Sequence, residues 1–266
     1  MFKRNYIICT ITLFIGGSFF SVNANANDHS EDAPKNNFSI GTAITDSPRY
    51  SGSDEQTLSF LPIITLNRGP FFLDSTKGLG YDLKATNGLY FEHTLGYDLG
   101  RSDQKSSWRD GSEKLKGMGK IKGTTITSFT MGYQMASWLA AEAMATLPLD
   151  NDQGIRYKAA VKGGLWQNQS DTFSFETDLL FGDHRYNNTV YGVTTNQSAN
   201  SGFHEYSTSG GMYGQSIYLD WTHQITTNWS TDLTIGYTYL NDKVSESPIV
   251  LKRGSSEVIF AVMYLF

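Results

Sequence analysis

Asp183 and His184 open a stretch rich in glycine, serine and asparagine that also holds His204, Glu205 and several hydroxyls. These are the residue types of an acyl-transfer site, where a carboxylate orients an imidazole that takes the proton of a serine. Their arrangement does not support that use. There is no nucleophile elbow, paired-carboxylate motif, HExxH run or phosphate-cradling glycine loop, and neighbours in one loop are not a triad. The five histidines, His29, His93, His184, His204 and His223, show no ligand spacing. The single cysteine, Cys9, lies in the N-terminal apolar segment, which closes thiolate chemistry to the rest of the chain. The expectation is a protein that is not an enzyme, with no catalytic, cofactor-binding or metal residues. A basic cluster, Arg101, Lys105, Arg109, Lys114 and Lys116, has the charge to bridge the phosphates of a lipopolysaccharide layer, and reads equally well as a solvated loop.

Charges that recur with period two are more informative. In Gly154–Trp166, Arg156, Lys158 and Lys162 share one face while Ile155, Tyr157, Ala159, Val161 and Leu165 share the other. In Thr172–Gly182, Glu176 and Asp178 oppose Phe173, Phe175, Leu179 and Phe181. A turn centred near Gln169 sets Lys162 opposite or diagonal to Glu176, so the charges can pair across the strands. Glu92, Asp98, Lys120, Lys122, Glu142, Asp220 and Asp232 fall on the same inner face. The pattern predicts a polar lumen of mixed sign inside a wall that is apolar outside. His93 and His223 interrupt the apolar face; a neutral imidazole near the interface, or a contact with protein, accounts for them.

The elements that must position these charges are strands, since no helical periodicity with caps stands out after Ala26. About twelve alternating runs are legible, with 10 or 14 as the alternative counts. They fall near Phe38–Thr45, Leu58–Leu66, Pro70–Asp74, Leu79–Ala85, Gly88–Leu99, Met118–Gln134, Ser137–Leu147, Gly154–Trp166, Thr172–Gly182, Met212–Thr226, Trp229–Leu240 and Ser256–Phe266. The Met118–Gln134 run is long enough to project beyond a membrane. Tight links alternate with long ones at Asp46 to Thr57, Gly100 to Gly117, Asp183 to Gly211 and Asn241 to Ser255. Ser75 to Gly78 and Pro148 to Gln153 are shorter than the long-loop rim calls for. Short turns on one rim and long loops on the other describe an all-β fold, an antiparallel up-and-down transmembrane barrel with periplasmic turns and extracellular loops.

Both ends of the chain agree with that reading. Val258, Phe260, Val262, Tyr264 and Phe266 share one face of a last strand that ends in an aromatic ring, the signal that barrel assembly machinery reads through strand addition. Lys3 and Arg4, an apolar stretch from Tyr6 to Phe20 and then Ala24-Asn25-Ala26 form a secretory signal peptide over 1–26. A leader over 27–37, with Asp28, Glu31 and Asp32, precedes a barrel over 38–266. Loss of Lys3 and Arg4 takes the net charge from −5 to −7 (−5 − 2), which leaves nothing basic enough for a nucleic-acid partner. A negative mean hydropathy is compatible with a barrel wall, where only every second residue meets lipid.

Several segments together resemble the MltA-interacting protein family, also called the MipA/OmpV family. They are Tyr50-Ser51-Gly52-Ser53, Leu61-Pro62, Arg68-Gly69-Pro70-Phe71-Phe72, Leu115 to Gly119, Tyr191-Gly192-Val193, Tyr239-Leu240 and Ser247-Pro248-Ile249-Val250. Where Tyr-Phe-Gly-Val is expected, this chain has Tyr191 preceded by Val190. The resemblance implies a Gram-negative outer-membrane scaffold that brings a murein lytic transglycosylase together with a murein synthase, in contact with membrane lipid and lipopolysaccharide. It implies no catalytic residue. The alternatives are a narrow diffusion channel for small polar solutes, whose selectivity the inward charges would set, and a surface adhesin or antigen built on the long loops.

Overall fold

The computed structural model describes residues 36–106, 108–149 and 153–266. The expected signal peptide, and the leader as far as residue 35, lie outside the described residues. The strands are β1 (Asn37–Pro48), β2 (Gln56–Arg68), β3 (Phe71–Asp74), β4 (Gly78–Lys84), β5 (Leu89–Asp98), β6 (Arg101–Ser102), β7 (Asp110–Gly111), β8 (Thr124–Ala136), β9 (Leu139–Pro148), β10 (Arg156–Gln167), β11 (Asp171–Gly182), β12 (Gly211–Gln224), β13 (Trp229–Leu240) and β14 (Gly254–Leu265). All but β6 and β7 form one closed barrel of twelve strands in the order β1-β14-β13-β12-β11-β10-β9-β8-β5-β4-β3-β2. Its seam pairs the two ends of the chain, from Ser39↔Leu265 to Asp46↔Val258. Closure leaves no sheet edge along this seam for lipid to meet.

Alternation is what makes these segments a wall. On β12, Ile217 and Leu219 are each 51% exposed, while Ser216, Tyr218 and Asp220 between them are buried. The β10–β11 register is the one set by a turn about Gln169, with Lys162 directly opposite Glu176. His93 faces outward and is held: its Nε2 lies 2.8 Å from Thr127 Oγ1 and its ring stacks on Phe129. His223 Nδ1 lies 2.7 Å from Asp171 Oδ1, which also accepts from the Trp221 indole.

Three expectations need correction. The sixth barrel strand begins at Thr124 rather than Met118; Gly117 and Gly119 adopt positive φ, +88° and +74°, turn conformations that interrupt an extended run. Lys120 and Lys122 consequently stand exposed on the loop before β8 and not in the lumen. The lumen is also not polar all round. Ala43 and Ile63 meet Ile259, Ala261, Met263 and Leu265 of β14 in an apolar cluster on the inner face. Finally, the long loops contain helices: α1 (His184–Tyr191), α2 (Thr195–Ser201) and the single turn α3 (Asp242–Ser245). Their signals were local. Asp183 caps α1, and Thr194 with Gln197 forms a capping box on α2, which ends at Gly202 in the left-handed region.

The wall is not of even height. β3 pairs with β2 only from Thr65 to Arg68, and β4 reaches β5 only as far as Leu95. From Gln56 to Ile63, β2 therefore has no strand beside it on that edge. Ser75, at the tip of the short β3–β4 hairpin, bonds Ile64 and Pro62, and Pro62 belongs to the stretch where a missing N–H costs the sheet nothing.

Candidate functional site

The lumen is crossed at mid-height by buried charge. Lys158 Nζ lies 2.7 Å from Glu176 Oε1 and 3.7 Å from Asp178 Oδ1; Lys162 Nζ lies 2.5 Å from Glu142 Oε2 and 3.6 Å from Glu176 Oε2. None of these five side chains is more than 6% exposed. Each is delivered by the period-two pattern of β9, β10 and β11, and the lysines bridge three strands. Tyr90 donates to Glu142 Oε1 at 2.7 Å. It reaches that far because the residue opposite it, Gly132, has no Cβ: one there would come within 1.9 Å of the ring. Two flanking carboxylates are held by hydroxyls, Asp220 by Thr234 and Asp232 by Thr222, both at 2.7 Å.

A cluster of this kind is maintained by complementarity, since each ion costs several kcal/mol to desolvate and repays it only with partners on all sides. On other strands of the barrel, the apolar cluster of β14, β1 and β2 lines the inner face. Above it the interior is more open. Arg156 and Asp98, paired at 3.2 Å, are 34% and 29% exposed, and Asp110 projects among Asp98, Arg101 and Glu257, close enough for their charges to act on it. Glu92 is inward too, paired with Lys77 at 2.9 Å. Lys77, Tyr90, Thr222 and Thr234 are the partners that alternation did not reveal, because they lie at a hairpin tip or carry no formal charge.

The mouth is roofed by the long loops. Tyr50, Leu115, Met118, Val193 and Ile249 pack together, and Tyr191, Tyr213, Leu240 and Val244 form a second cluster beside them. Tyr50 donates to the Ile249 carbonyl at 3.0 Å, Ser51 Oγ lies 2.8 Å from Tyr191 Oη, and Arg101 Nη1 donates to the Val190 carbonyl at 2.6 Å. Burial pushes the Tyr50 phenol up to about 12, against the opposing pull of Arg101. Burial likewise raises Tyr191 and lowers Arg101. At the rim, the hydrogen bond from Lys114 holds the Asp54 carboxyl below its usual range.

The constellation that suggested acyl transfer is not assembled. Asp183 accepts from the Tyr186 and Ile155 amides as a cap, His184 lies 3.1 Å from Asn188 Nδ2, and His204 and Glu205 are exposed. Among the described residues no group of three His, Cys, Asp or Glu comes together as a metal site. On the last strand Val258, Phe260, Val262 and Tyr264 face outward, and Phe266 lies against Phe38 and Tyr264 at 5.1 and 4.8 Å.

No curated protein matches the chain. Among solved structures it is similar to OprB of Pseudomonas putida, 8% identical over 88% of this chain and 94% of that one with a TM-score of 0.46. It is also similar to the outer membrane channel DcaP of Acinetobacter baumannii, 12% identical over 91% and 100% with a TM-score of 0.38. Likeness at these values carries no argument about this chain. The chain is an outer-membrane barrel of a Gram-negative bacterium. Residues 40–266 match the family described as MltA-interacting protein MipA, and the chain belongs to that family.

Proposed function

We propose that this protein is an outer-membrane scaffold that brings a murein lytic transglycosylase together with a murein synthase during cell-wall growth. The observation that supports it is the packed inner face: the side chains of Lys158, Lys162, Glu142, Glu176 and Asp178 are buried in one ion-paired cluster, and Ala43, Ile63, Ile259, Ala261, Met263 and Leu265 are buried in an apolar one. An interior committed to its own ion pairs and apolar contacts leaves the outer surfaces as the parts that act. The periplasmic turns at 69, 86–87, 168–170 and 227–228 are short, so a lipid-anchored partner meets them from the side, and the acidic leader 27–37 adds a second contact. No catalytic residue takes part.

Photo-crosslinkers placed in those turns and in the leader of the full chain, in living cells, test this reading. Capture of a lytic transglycosylase or a murein synthase is expected; capture of assembly factors alone overturns it. A diffusion channel is the second reading, favoured by the partly exposed Asp98 and Arg156 in the upper lumen. Planar-bilayer conductance by the wild-type protein would move the assignment there.

A further inference from the structure

The step in the wall between β2 and β5 is an opening with a specific chemistry. On its β2 rim Leu58 and Phe60 are 63% and 65% exposed, and on its β5 rim Tyr97 is 63% exposed. The rim is marked by the missing neighbour strand rather than by exposure, since outward residues flanked by strands on both sides include Phe129 at 41% and Met131 at 63%. From Leu66, near the periplasmic rim, to Leu58 is eight residues, roughly 26 Å along a strand at about 3.3 Å per residue. With the usual tilt that is roughly 20 Å of height, inside an apolar band about 25 Å tall. The opening therefore lies in the outer leaflet. A free strand edge in hydrocarbon leaves amides and carbonyls without partners, which membranes do not tolerate, so an occupant there has to offer both an apolar chain and hydrogen-bonding groups.

The chain that roofs the opening supplies a second requirement. Leaving β5 at Leu99, it forms β6 and β7 and crosses to the β1–β2 loop, where the Gly111 amide donates to the Arg49 carbonyl and Ser112 to Glu55. Between β6 and β7, Lys105 is exposed, Arg109 is half-buried and Trp108 is 77% exposed. The Glu113 carboxylate accepts from the Lys105 backbone amide at 3.3 Å, and two cations on either side of an exposed indole suit an anionic interface.

We infer that this opening is a binding site for lipopolysaccharide, with one acyl chain against Leu58 and Phe60 and a phosphate on Lys105 and Arg109. Lipopolysaccharide fits better than a glycerophospholipid because its amide-linked, hydroxylated acyl chains both donate and accept hydrogen bonds, as the bare β2 edge demands; glycerophospholipid esters only accept. The site is independent of any periplasmic partner.

Native mass spectrometry of the detergent-purified barrel, incubated with purified short-chain lipopolysaccharide or with phosphatidylethanolamine, tests it. One lipopolysaccharide per chain is expected, retained at least tenfold less by Phe60→Gln and by the Lys105→Glu/Arg109→Glu double variant, and unchanged by Ile217→Gln on the opposite wall. The double variant leaves the wall untouched, so its result stands even if Phe60→Gln assembles poorly. No retained lipid, equal retention by the double variant and Ile217→Gln, retention of phosphatidylethanolamine to the same extent, or a lipid-free dimer would each overturn the assignment.

Discussion

Lys162 has the Glu142 and Glu176 carboxylates on either side and is 2% exposed. Lys162→Met would leave Glu176 with Lys158 and Glu142 with the Tyr90 hydroxyl, and removing one partner of a buried ion pair costs about 3–5 kcal/mol. The expected result is a lower unfolding midpoint in detergent, read from gel mobility, with part of the loss recovered by adding Glu142→Gln. An unchanged midpoint would mean that water reaches the cluster. Tyr50 gives a pH-dependent counterpart in the cap. Its folded value lies above the ordinary 10.0, at about 12, so its contribution is intact below pH 10 and lost as pH rises through 12. An absorbance titration should show a phenol ionising near 12 that Tyr50→Phe removes. Both sites were only half legible in the chain. Lys162 and Glu176 declared themselves by alternation, whereas Tyr50 meets Ile249 across 199 residues, and no local pattern encodes that contact.

The strands were the most legible elements, because a one-residue slip turns every side chain to the wrong face. The β10–β11 hairpin carries the sharpest test. A cysteine replacing Val161 should react with a lipid-phase probe and one replacing Lys162 should not; the reverse would place the register one residue away. Three element-level departures have physical causes. Lys120 and Lys122 alternate like strand residues, but the positive-φ glycines beside them break the strand. The run from Ile259 to Leu265 was legible only on its outward face: Val258, Phe260, Val262 and Tyr264 were assigned to lipid, while Ile259, Ala261, Met263 and Leu265 between them announced an apolar interior in the same letters. The helices α1 and α2 were hidden by composition, since loops rich in asparagine and serine read as irregular even where those residues are caps.

At the scale of the molecule, the residues that carry the family resemblance gather mostly in the cap, with the Arg68-Gly69-Pro70-Phe71-Phe72 run alone at a periplasmic turn. Tyr50, Leu115, Met118, Val193 and Ile249 meet in one cluster of the cap, and Tyr191 and Val250 in its neighbour. The cap is thus a folded unit rather than a set of free loops, and limited proteolysis of the assembled barrel should spare Arg101, 6% exposed, while cutting the urea-unfolded chain there. Rapid cleavage at Arg101 in the assembled protein would mean that the roof opens. The closing strand has a further consequence, in the time before the barrel exists. With lipid-facing side chains on one surface of β14 and interior apolar side chains on the other, the segment from Val258 to Phe266 has no water-compatible face. While the chain crosses the aqueous periplasm this is a short, uncharged, β-branched and aromatic run of the kind that nucleates aggregation. Its two-sided burial makes delivery, more than final stability, the vulnerable stage of this protein's life: any delay between export and seam closure leaves the most adhesive nine residues of the chain without cover.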